Sequence, residues 1–252
     1  MSVAAAIARA AGALLLGRST RAPTGISSKS TRTDLVSDAD RAADELVVSR
    51  LREAYPDDAI VSEEGGEVRG GSGRTWYVDP LDGTINYLYG LPHWAVSIAC
   101  HDAAGALAGV VFDPTRNELF RAHRGQGAAL DDRRLTASDA TDLGLALVGT
   151  GFSYDAAERA RQAAVVARLA GSVRDIRRAG SAALDLAWVA AGRLDAYFEV
   201  SRSKWDSAAG ELLVSEAGGV VSWTAQAEIV ASGRMVHAAL IALLRASHGT
   251  DG

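Results

Sequence analysis

The sequence predicts a layered α/β or α+β fold, and three observations support this. The chain has 252 residues, of which 48% are hydrophobic and 23% charged, as is typical of a folded globular protein. Short apolar runs alternate along the chain with longer segments that have apolar residues at helical spacing. Three strand-like runs follow one another in the middle of the chain, which indicates an antiparallel section.

The N-terminal segment is predicted to be a helix, because Ile7, Ala11, Leu14 and Leu15 recur on one helical face. Its Ala- and Leu-rich composition could also indicate a signal peptide. An arginine interrupts the apolar run and no basic residue precedes it, so we favour the helix. No apolar run in the chain is long enough to cross a membrane, and we expect a cytoplasmic protein.

In the rest of the first half, Ser37 or Asp38 can cap a helix that runs to about Tyr55. Residues 67–73 are predicted to form a charged, glycine-rich and mobile loop. A turn or short helix is expected to begin at residue 82 or 83. Strands are predicted at 60–61, 75–78, 95–100, 107–112 and 118–122.

The second half alternates in the same way. Ser181 is expected to cap one helix, and glycines at 192 and 218 are expected to close two helices. Helices are predicted at 155–169, 181–191, 206–217 and 236–246. Strands are predicted at 145–148, 173–176, 196–200, 220–223 and 229–231.

Charge and cysteine content narrow the classes of function. The net charge of -5 argues mildly against nucleic acid as the main ligand, because nucleic-acid-binding proteins usually display a basic face. An anionic substrate stays possible, since a bound divalent metal can reverse the local field. The single cysteine, Cys100, is expected to be a small buried hydrophobe. The five histidines show no zinc-binding spacing.

The most informative motif is the segment 79–84, Asp-Pro-Leu-Asp-Gly-Thr. A strand ends at Asp79, and Asp82 follows three residues later, so both carboxylates can face one point. Together with the carbonyl of Leu81 they form a set of hard oxygen ligands that suits Mg²⁺. Read alone, the hexapeptide could also be an ordinary turn, because Pro, Asp and Gly are common turn residues.

Two further acidic motifs bear on this choice. Glu63 and Glu64 come directly after a short apolar strand, where an acidic pair could also belong to a solvated loop. Asp206 follows Trp205 at the expected start of a helix that ends in Glu-Ala-Gly-Gly. Aspartate is a common helix cap, and Asp206 could serve both as a cap and as a ligand.

These motifs together resemble the inositol monophosphatase family of magnesium-dependent, lithium-sensitive phosphatases. That family's pattern has a Glu-Glu pair, then D-P-[IL]-D-G-T, then W-D followed by E-A-G-G, and all occur here in order. Segments 29–31 and 34–40 also match. The resemblance implies a single sugar-phosphatase domain over 1–252, built as an α-β-α-β-α sandwich. Most metal ligands would lie in the N-terminal half, at about 1–140. Asp206 and the residues that recognise the substrate would lie in the C-terminal half, at about 141–252.

The resemblance also implies two or three Mg²⁺ ions per subunit. Glu63, Asp79 and the Leu81 carbonyl would hold one ion. Asp79, Asp82 and Asp206 would hold a second, and a third would bind more weakly near Glu63. Two metals can stabilise both the attacking and the leaving oxygen of a hydrolysis.

Further roles follow from the same resemblance. Glu63 and Thr84 would orient and help deprotonate a metal-activated water, and Asp40, which flanks the site, joins this catalytic group. Lys29 could reach the phosphate or a loop carboxylate, and it has a supporting role with Asp34 and Glu64. Glu199 would accept hydrogen bonds from ring hydroxyls. The complete set of implied substrate-binding residues is Gly83, Thr84, Gly180, Ser181, Ala182, Glu199 and Asp206.

The implied activity is hydrolysis of inositol monophosphate to inositol and phosphate. Histidinol phosphate, fructose bisphosphate, adenosine 3',5'-bisphosphate and a modified cyclitol phosphate are alternative substrates. A transcription-associated binding protein is the non-enzymatic alternative, since some bacterial relatives have that role. Lys204 could favour a second anionic group on the substrate, but we expect it to face solvent. The family is commonly homodimeric, and neither a membrane nor a nucleic-acid partner is expected.

Overall fold

The computed structural model describes residues 2–20, 22–29, 31–200 and 203–248. Ser30, within the matched segment 29–31, lies outside these described residues. The helices are α1 Ser2–Ser19, α2 Asp38–Ala54, α3 Thr84–Leu88, α4 Ala156–Leu169, α5 Ala182–Ala190, α6 Lys204–Glu216 and α7 Arg234–His248. The strands are β1 Ser27–Ser28, β2 Leu35–Val36, β3 Ala59–Ser62, β4 Gly66–Val68, β5 Thr75–Asp82, β6 Ala95–Asp102, β7 Gly105–Asp113, β8 Glu118–His123, β9 Gly127–Leu130, β10 Arg133–Arg134, β11 Leu147–Thr150, β12 Asp175–Arg177, β13 Ala196–Val200, β14 Val220–Trp223 and β15 Glu228–Ser232.

Two large sheets and three helix pairs form five layers. Helices α1 and α2 pack on the outer face of the first sheet, and α5 and α6 lie between the two sheets. Helices α4 and α7 pack together on the outer side of the second sheet. Each interface between layers buries aliphatic and aromatic side chains, which removes apolar surface from water. The predicted α-β-α-β-α sandwich is confirmed.

The first sheet has the strand order β10-β9-β8-β7-β6-β5-β3-β4 and is antiparallel except for the β3–β5 pair. The second sheet has the order β12-β11-β13-β15-β14, and β11 runs parallel to both β12 and β13. In parallel pairs the carboxyl ends of the strands meet at one edge. Residues that follow β3 and β5, and those that follow β11 and β13, are therefore brought together.

Most predicted elements are present, with corrections at several ends. The loop predicted at 67–73 is wrong in its first part, because residues 66–68 form β4 and pair with β3. β5 continues to residue 82, well past the expected end at residue 78. Helix α6 begins at Lys204, so Asp206 lies in its first turn and is not its cap. Among the described residues, no helix is both long and apolar enough to span a membrane.

The predicted caps Ser37 and Ser181 and the predicted burial of the cysteine are confirmed. Ser37 caps α2 in a capping box, in which Asp40 accepts a hydrogen bond from the Ser37 amide (2.9 Å). Ser181 caps α5 by accepting a hydrogen bond from Leu184. Cys100 is buried in β6, and burial raises the pKa of its thiol to about 11.

The end of α6 is fixed to the first sheet by Glu216, the acid of the Glu-Ala-Gly-Gly motif. Its carboxylate accepts hydrogen bonds from the amides of Gly125 and Gly127, each at 2.7 Å. Gly125 lies in the turn between β8 and β9, and Gly127 begins β9. Because α6 also carries Asp206, this contact positions one wall of the candidate site through the whole length of the helix.

Candidate active site

A pocket of about 130 Å³ opens where the carboxyl ends of strands from both sheets meet. It is lined by residues from β5, α5, β13 and α6 and from the loops after β11 and after β3. The predicted site residues in its lining are Lys29, Asp34, Glu63, Asp79, Leu81, Asp82, Gly83, Thr84, Gly180, Ser181, Ala182, Glu199 and Asp206. Asp40 and Glu64 are absent from this lining and lie behind it.

An irregularity in β5 places Asp79 and Asp82 at the same pocket. The pairing of β5 with β6 is regular from Thr75 to Asp79 and shifts register before Asp82. Pro80 lacks the amide needed for the ladder, which favours such a break. The Leu81 amide donates to Asp79 Oδ1 (3.0 Å), and the Leu81 carbonyl accepts from Thr84 Oγ1 (3.1 Å). Local hydrogen bonds thus hold the oxygen set together.

The turn after Asp82 requires glycine at position 83. Gly83 has φ of 92°, which other residues rarely adopt, and a Cβ there would lie 3.0 Å from the His93 carbonyl oxygen. Thr84 follows at the start of α3, and its hydroxyl donates to Asp40 Oδ1 (2.9 Å). Asp40 is buried and reaches the pocket through Thr84, which it orients.

Asp82 is held by the N-terminal end of α5. Its Oδ2 atom accepts hydrogen bonds from Ser181 Oγ (2.5 Å) and from the Ala183 amide (2.8 Å). Ser181 therefore caps its own helix and also anchors a carboxylate from the other half of the chain. This double contact joins the motif at 79–84 to the segment at 180–182.

Glu63 and Glu64 form ion pairs with Lys29. The Lys29 Nζ atom lies 2.8 Å from Glu63 Oε1 and also contacts the Glu64 carboxylate. Burial disfavours the charged form of Lys29 and lowers its pKa. Glu63 and Glu64 have a larger combined effect in the other direction, so the pKa of Lys29 is raised. Of the two roles expected for Lys29, the contact with a loop carboxylate is seen, and the contact with the phosphate stays a prediction. Glu64 lies behind Glu63 and supports Lys29.

The remaining carboxylates are buried beside like charges. Burial raises the pKa of Asp79 well above its ordinary value, and the charges of Glu63, Asp82 and Asp206 add to this effect. Burial also raises the pKa of Asp82, to about 6, and that of Asp206. Four carboxylates around one small pocket need a compensating positive charge, and Lys29 contacts only one of these four, Glu63.

This donor set fits a hard divalent cation such as Mg²⁺, which prefers carboxylate and carbonyl oxygens. In the described part of the chain, no group of three or more Asp, Glu, His or Cys side chains is arranged so that it could bind a metal ion as it stands. Glu63 is turned toward Lys29 and Asp82 toward Ser181 and Ala183. To bind a metal ion, the Glu63 and Asp82 carboxylates would have to turn from these hydrogen-bond partners toward the centre of the pocket.

The opposite wall is built around Glu199, at the end of β13. Its carboxylate accepts a hydrogen bond from the Tyr197 hydroxyl, and burial raises its pKa to about 7. The loop after β11 passes so closely that a Cβ at Gly151 would overlap the Glu199 carboxylate. Gly180 and Ala182 lie beside this wall, as the resemblance implied.

The sequence analysis missed further lining residues, among them Thr150, Gly151, Phe152, Tyr154 and Arg178. Thr150 ends β11 and the next three follow it, and β11 runs parallel to β13 with Thr150 opposite Phe198. The signal for the first four was the Gly-Thr-Gly sequence after a predicted strand, which could be interpreted only once the neighbouring strand was known. Lys204, by contrast, is exposed with its Nζ 5.8 Å from the Tyr77 ring, and it faces solvent as expected.

Comparison with known proteins agrees with this architecture. The sequence profile of the inositol monophosphatase family matches residues 1–249. A Pseudomonas aeruginosa protein named Nus factor SuhB is 44% identical over 243 residues, covering 94% of this chain and 90% of that protein. The extragenic suppressor protein SuhB from Bartonella henselae has a TM-score of 0.90 at 36% identity, over 99% of this chain and 98% of that one. An inositol monophosphatase from Anabaena (Nostoc) sp. has a TM-score of 0.85 at 34% identity, over 98% and 95%.

The fold is therefore that of the inositol monophosphatase and SuhB structures. The chain belongs to the inositol monophosphatase family.

Proposed function

We propose that this protein is a Mg²⁺-dependent phosphatase of small phosphate monoesters, with inositol monophosphate as its substrate. The observation that carries the proposal is the convergence of Glu63, Asp79, Asp82 and Asp206 on one pocket that also contains Glu199. These four carboxylates come from three parts of the chain, and Asp79 is buried while the other three are half-buried, which has an energetic cost. Family membership supports the same class of reaction.

The residues that would hold two or three Mg²⁺ ions are Glu63, Asp79, Asp82 and Asp206 and the carbonyl of Leu81. Bound Mg²⁺ supplies Lewis-acid chemistry that activates water and stabilises charge on the phosphate. Thr84 is oriented by Asp40, so its hydroxyl oxygen has a fixed direction at the pocket edge. Glu63 would accept a proton from the attacking water, and Thr84 would hold that water in line with the phosphate.

Glu199 would recognise the alcohol half of the substrate. It lies across the pocket from Asp79 and already has a hydroxyl partner in Tyr197. A carboxylate in this setting favours a ligand with free hydroxyls, because a ligand without them leaves it poorly paired. This supports a polyol phosphate such as inositol 1-phosphate over an aryl phosphate.

The proposal is tested by assaying phosphate release from inositol 1-phosphate, histidinol phosphate, fructose 1,6-bisphosphate and adenosine 3',5'-bisphosphate. We expect the highest kcat/KM for inositol 1-phosphate, an absolute requirement for Mg²⁺, and inhibition by lithium as in the family. Phosphate release that persists after complete removal of metal would show that the carboxylate site is not the catalytic centre.

Replacement of Glu199 by glutamine should lower kcat/KM for inositol 1-phosphate by about tenfold or more, as expected when a charged hydrogen-bond acceptor is lost. The loss for p-nitrophenyl phosphate should be small, because that substrate has no hydroxyl for Glu199. Steady-state kinetics with both substrates measure the ratio. Glu211→Gln on α6, where Glu211 accepts from Ser207 (2.7 Å), is the matched control. Equal losses of kcat/KM for both substrates would show that Glu199 does not recognise the alcohol half of the substrate.

A second candidate function is association with the transcription machinery, which the name Nus factor SuhB of the 44% identical relative favours. The two functions are compatible, because a protein surface can act independently of the pocket. Binding of the purified protein to purified bacterial elongation complexes tests it, and a phosphatase-inactive variant should bind equally well. The homodimer expected from the family resemblance and the cytoplasmic location expected from the sequence also stay proposals, and light scattering measures the first.

A further inference from the structure

A second cavity of about 390 Å³ lies beside the active-site pocket. The two share Leu35, Phe152, Tyr154 and Arg178 in their linings, so they are continuous at this wall. The complete lining of the second cavity is Arg32, Thr33, Leu35, Ile85, Tyr89, Phe152, Ser153, Tyr154, Arg159 and Arg178. We call it the arginine cavity.

The arginine cavity contains three guanidinium groups and no acidic side chain in its lining. Arg159 Nη1 donates only to the carbonyls of Ser153 (2.9 Å) and Tyr154 (3.2 Å), which leave its charge uncompensated. Within the described ranges, no ion pair joins Arg32, Arg159 or Arg178 to a carboxylate. This positive region is unusual in a chain of net charge -5.

Other arginines of the same chain show the contrast. Arg177, the direct neighbour of Arg178, pairs with Asp175 at 2.6 Å. Arg193 pairs with Glu118 through two contacts of 2.5 Å. These two arginines are neutralised by a nearby acid, whereas Arg174 and Arg234 donate to backbone carbonyls, as Arg159 does. Among the described residues, the three cavity arginines are hydrogen-bonded to no carboxylate, and the charge of Arg178 also acts on Glu199 and Asp185.

The cavity is also built from connected segments. The Thr33 hydroxyl donates to the Tyr154 carbonyl (2.8 Å), which joins the loop before β2 to the loop after β11. The Arg178 guanidinium carbon lies 6.0 Å from the centre of the Phe152 ring, where an aromatic face can attract it. Arg178 precedes Gly180 by two residues, so it belongs to the segment that borders the alcohol side of the pocket.

We propose that the arginine cavity is a subsite for a second oxyanion on the alcohol half of the substrate, recognised by Arg178 and Arg32. The inference rests on the proposed phosphatase function. With the reacting phosphate at the carboxylates, the rest of the substrate extends past Glu199 toward the shared wall. The planar guanidinium fork binds phosphate and carboxylate groups through paired hydrogen bonds. Acyclic polyol phosphates with a further phosphate or carboxylate group would then be substrates in addition to inositol monophosphate, which has no group for this cavity.

Three substrates that differ at one end test this subsite: sorbitol 6-phosphate, 6-phosphogluconate and sorbitol 1,6-bisphosphate. The first has a neutral hydroxyl where the others carry a carboxylate or a phosphate. We expect kcat/KM to be about tenfold higher for at least one of the two anionic substrates than for sorbitol 6-phosphate, mainly through a lower KM. This is the gain expected from one added charge-assisted hydrogen bond. A gain with the gluconate alone identifies a carboxylate, and a gain with the bisphosphate alone identifies a phosphate.

The variants Arg32→Gln and Arg32→Gln/Arg178→Gln should reduce and then abolish this preference. Arg32→Gln is included on its own because the charge of Arg178 also acts on Glu199. The matched control is Arg177→Gln, which removes a neighbouring guanidinium outside the cavity and should keep the parent preference. Light scattering on each variant shows whether the oligomeric state is unchanged.

Three results would overturn the inference. Equal kcat/KM values for all three substrates in the parent protein would overturn the subsite and leave the phosphatase proposal intact. A preference that survives in the double variant would overturn its assignment to these arginines. Failure to hydrolyse any of the three and inositol 1-phosphate as well would overturn the proposed function, and the subsite with it.

Discussion

Asp82→Asn is expected to lower kcat for inositol 1-phosphate by more than about 100-fold. Loss of a group that only orients a metal ligand already costs about 10–100-fold, and Asp82 is proposed as a ligand itself. The fold should persist, because an asparagine oxygen can still accept from Ser181 and the Ala183 amide. Steady-state kinetics with saturating Mg²⁺ measure the loss, and circular dichroism measures the fold.

Asp58→Asn is the matched control for this substitution. Asp58 is also a buried carboxylate, but it accepts from Trp76 Nε1 (2.8 Å) and Ser72 Oγ (2.6 Å), away from the pocket. It should lose some stability and keep kcat near the parent value. An Asp82→Asn protein with near-normal turnover would exclude Asp82 as a metal ligand.

Mg²⁺ is expected to raise the thermal unfolding midpoint by roughly 5–10 °C when its concentration is about 100 times its Kd. Binding to the folded state alone then contributes about 2.7 kcal/mol. For a chain of this size each kcal/mol corresponds to roughly 2–4 °C. The physical source is the repulsion among Asp79, Glu63, Asp82 and Asp206, which a divalent cation relieves. Differential scanning calorimetry measures the shift.

Asp79→Asn should remove most of this shift. Without Mg²⁺ the variant should unfold at or above the parent midpoint, because one of the mutually repelling buried charges is gone and the Leu81 amide keeps its acceptor. Sodium chloride at equal ionic strength controls for screening, and Asp58→Asn should retain the full shift. An unchanged shift in Asp79→Asn would place the stabilising ion elsewhere.

The residues that the sequence analysis located well are those in continuous motifs. Asp79, Leu81, Asp82 and Thr84 lie within six positions, so strand termination and turn chemistry constrain them together. Glu63 and Asp206 are remote in sequence, and only the family resemblance could join them to this set. The assignments of individual ligands and of the two halves of the domain stay predictions until the substitutions above are measured.

The features that were missed depend on tertiary pairing. Strands β9 and β10 have four and two residues, too few for a recognisable alternation. Phe152, Tyr154 and Arg178 acquire a role only because β11 lies parallel to β13 and its following loop passes the pocket. Lys29 could not be assigned between phosphate and carboxylate, because its choice depends on how far Glu63 and Glu64 project.

The register shift in β5 has a consequence for how the length of this segment can change. Successive residues of a regular strand point to opposite faces, so positions three apart face opposite ways. The bulge between Asp79 and Asp82 reverses that parity once and brings both aspartates to one face, so a single deletion or insertion that kept the bulge would undo this arrangement. One of the two aspartates would then be carried to the other face of the sheet. The spacing of this segment is consequently as restrictive as its composition, whereas a length change in the turn before Thr75 would leave the parity of both aspartates intact.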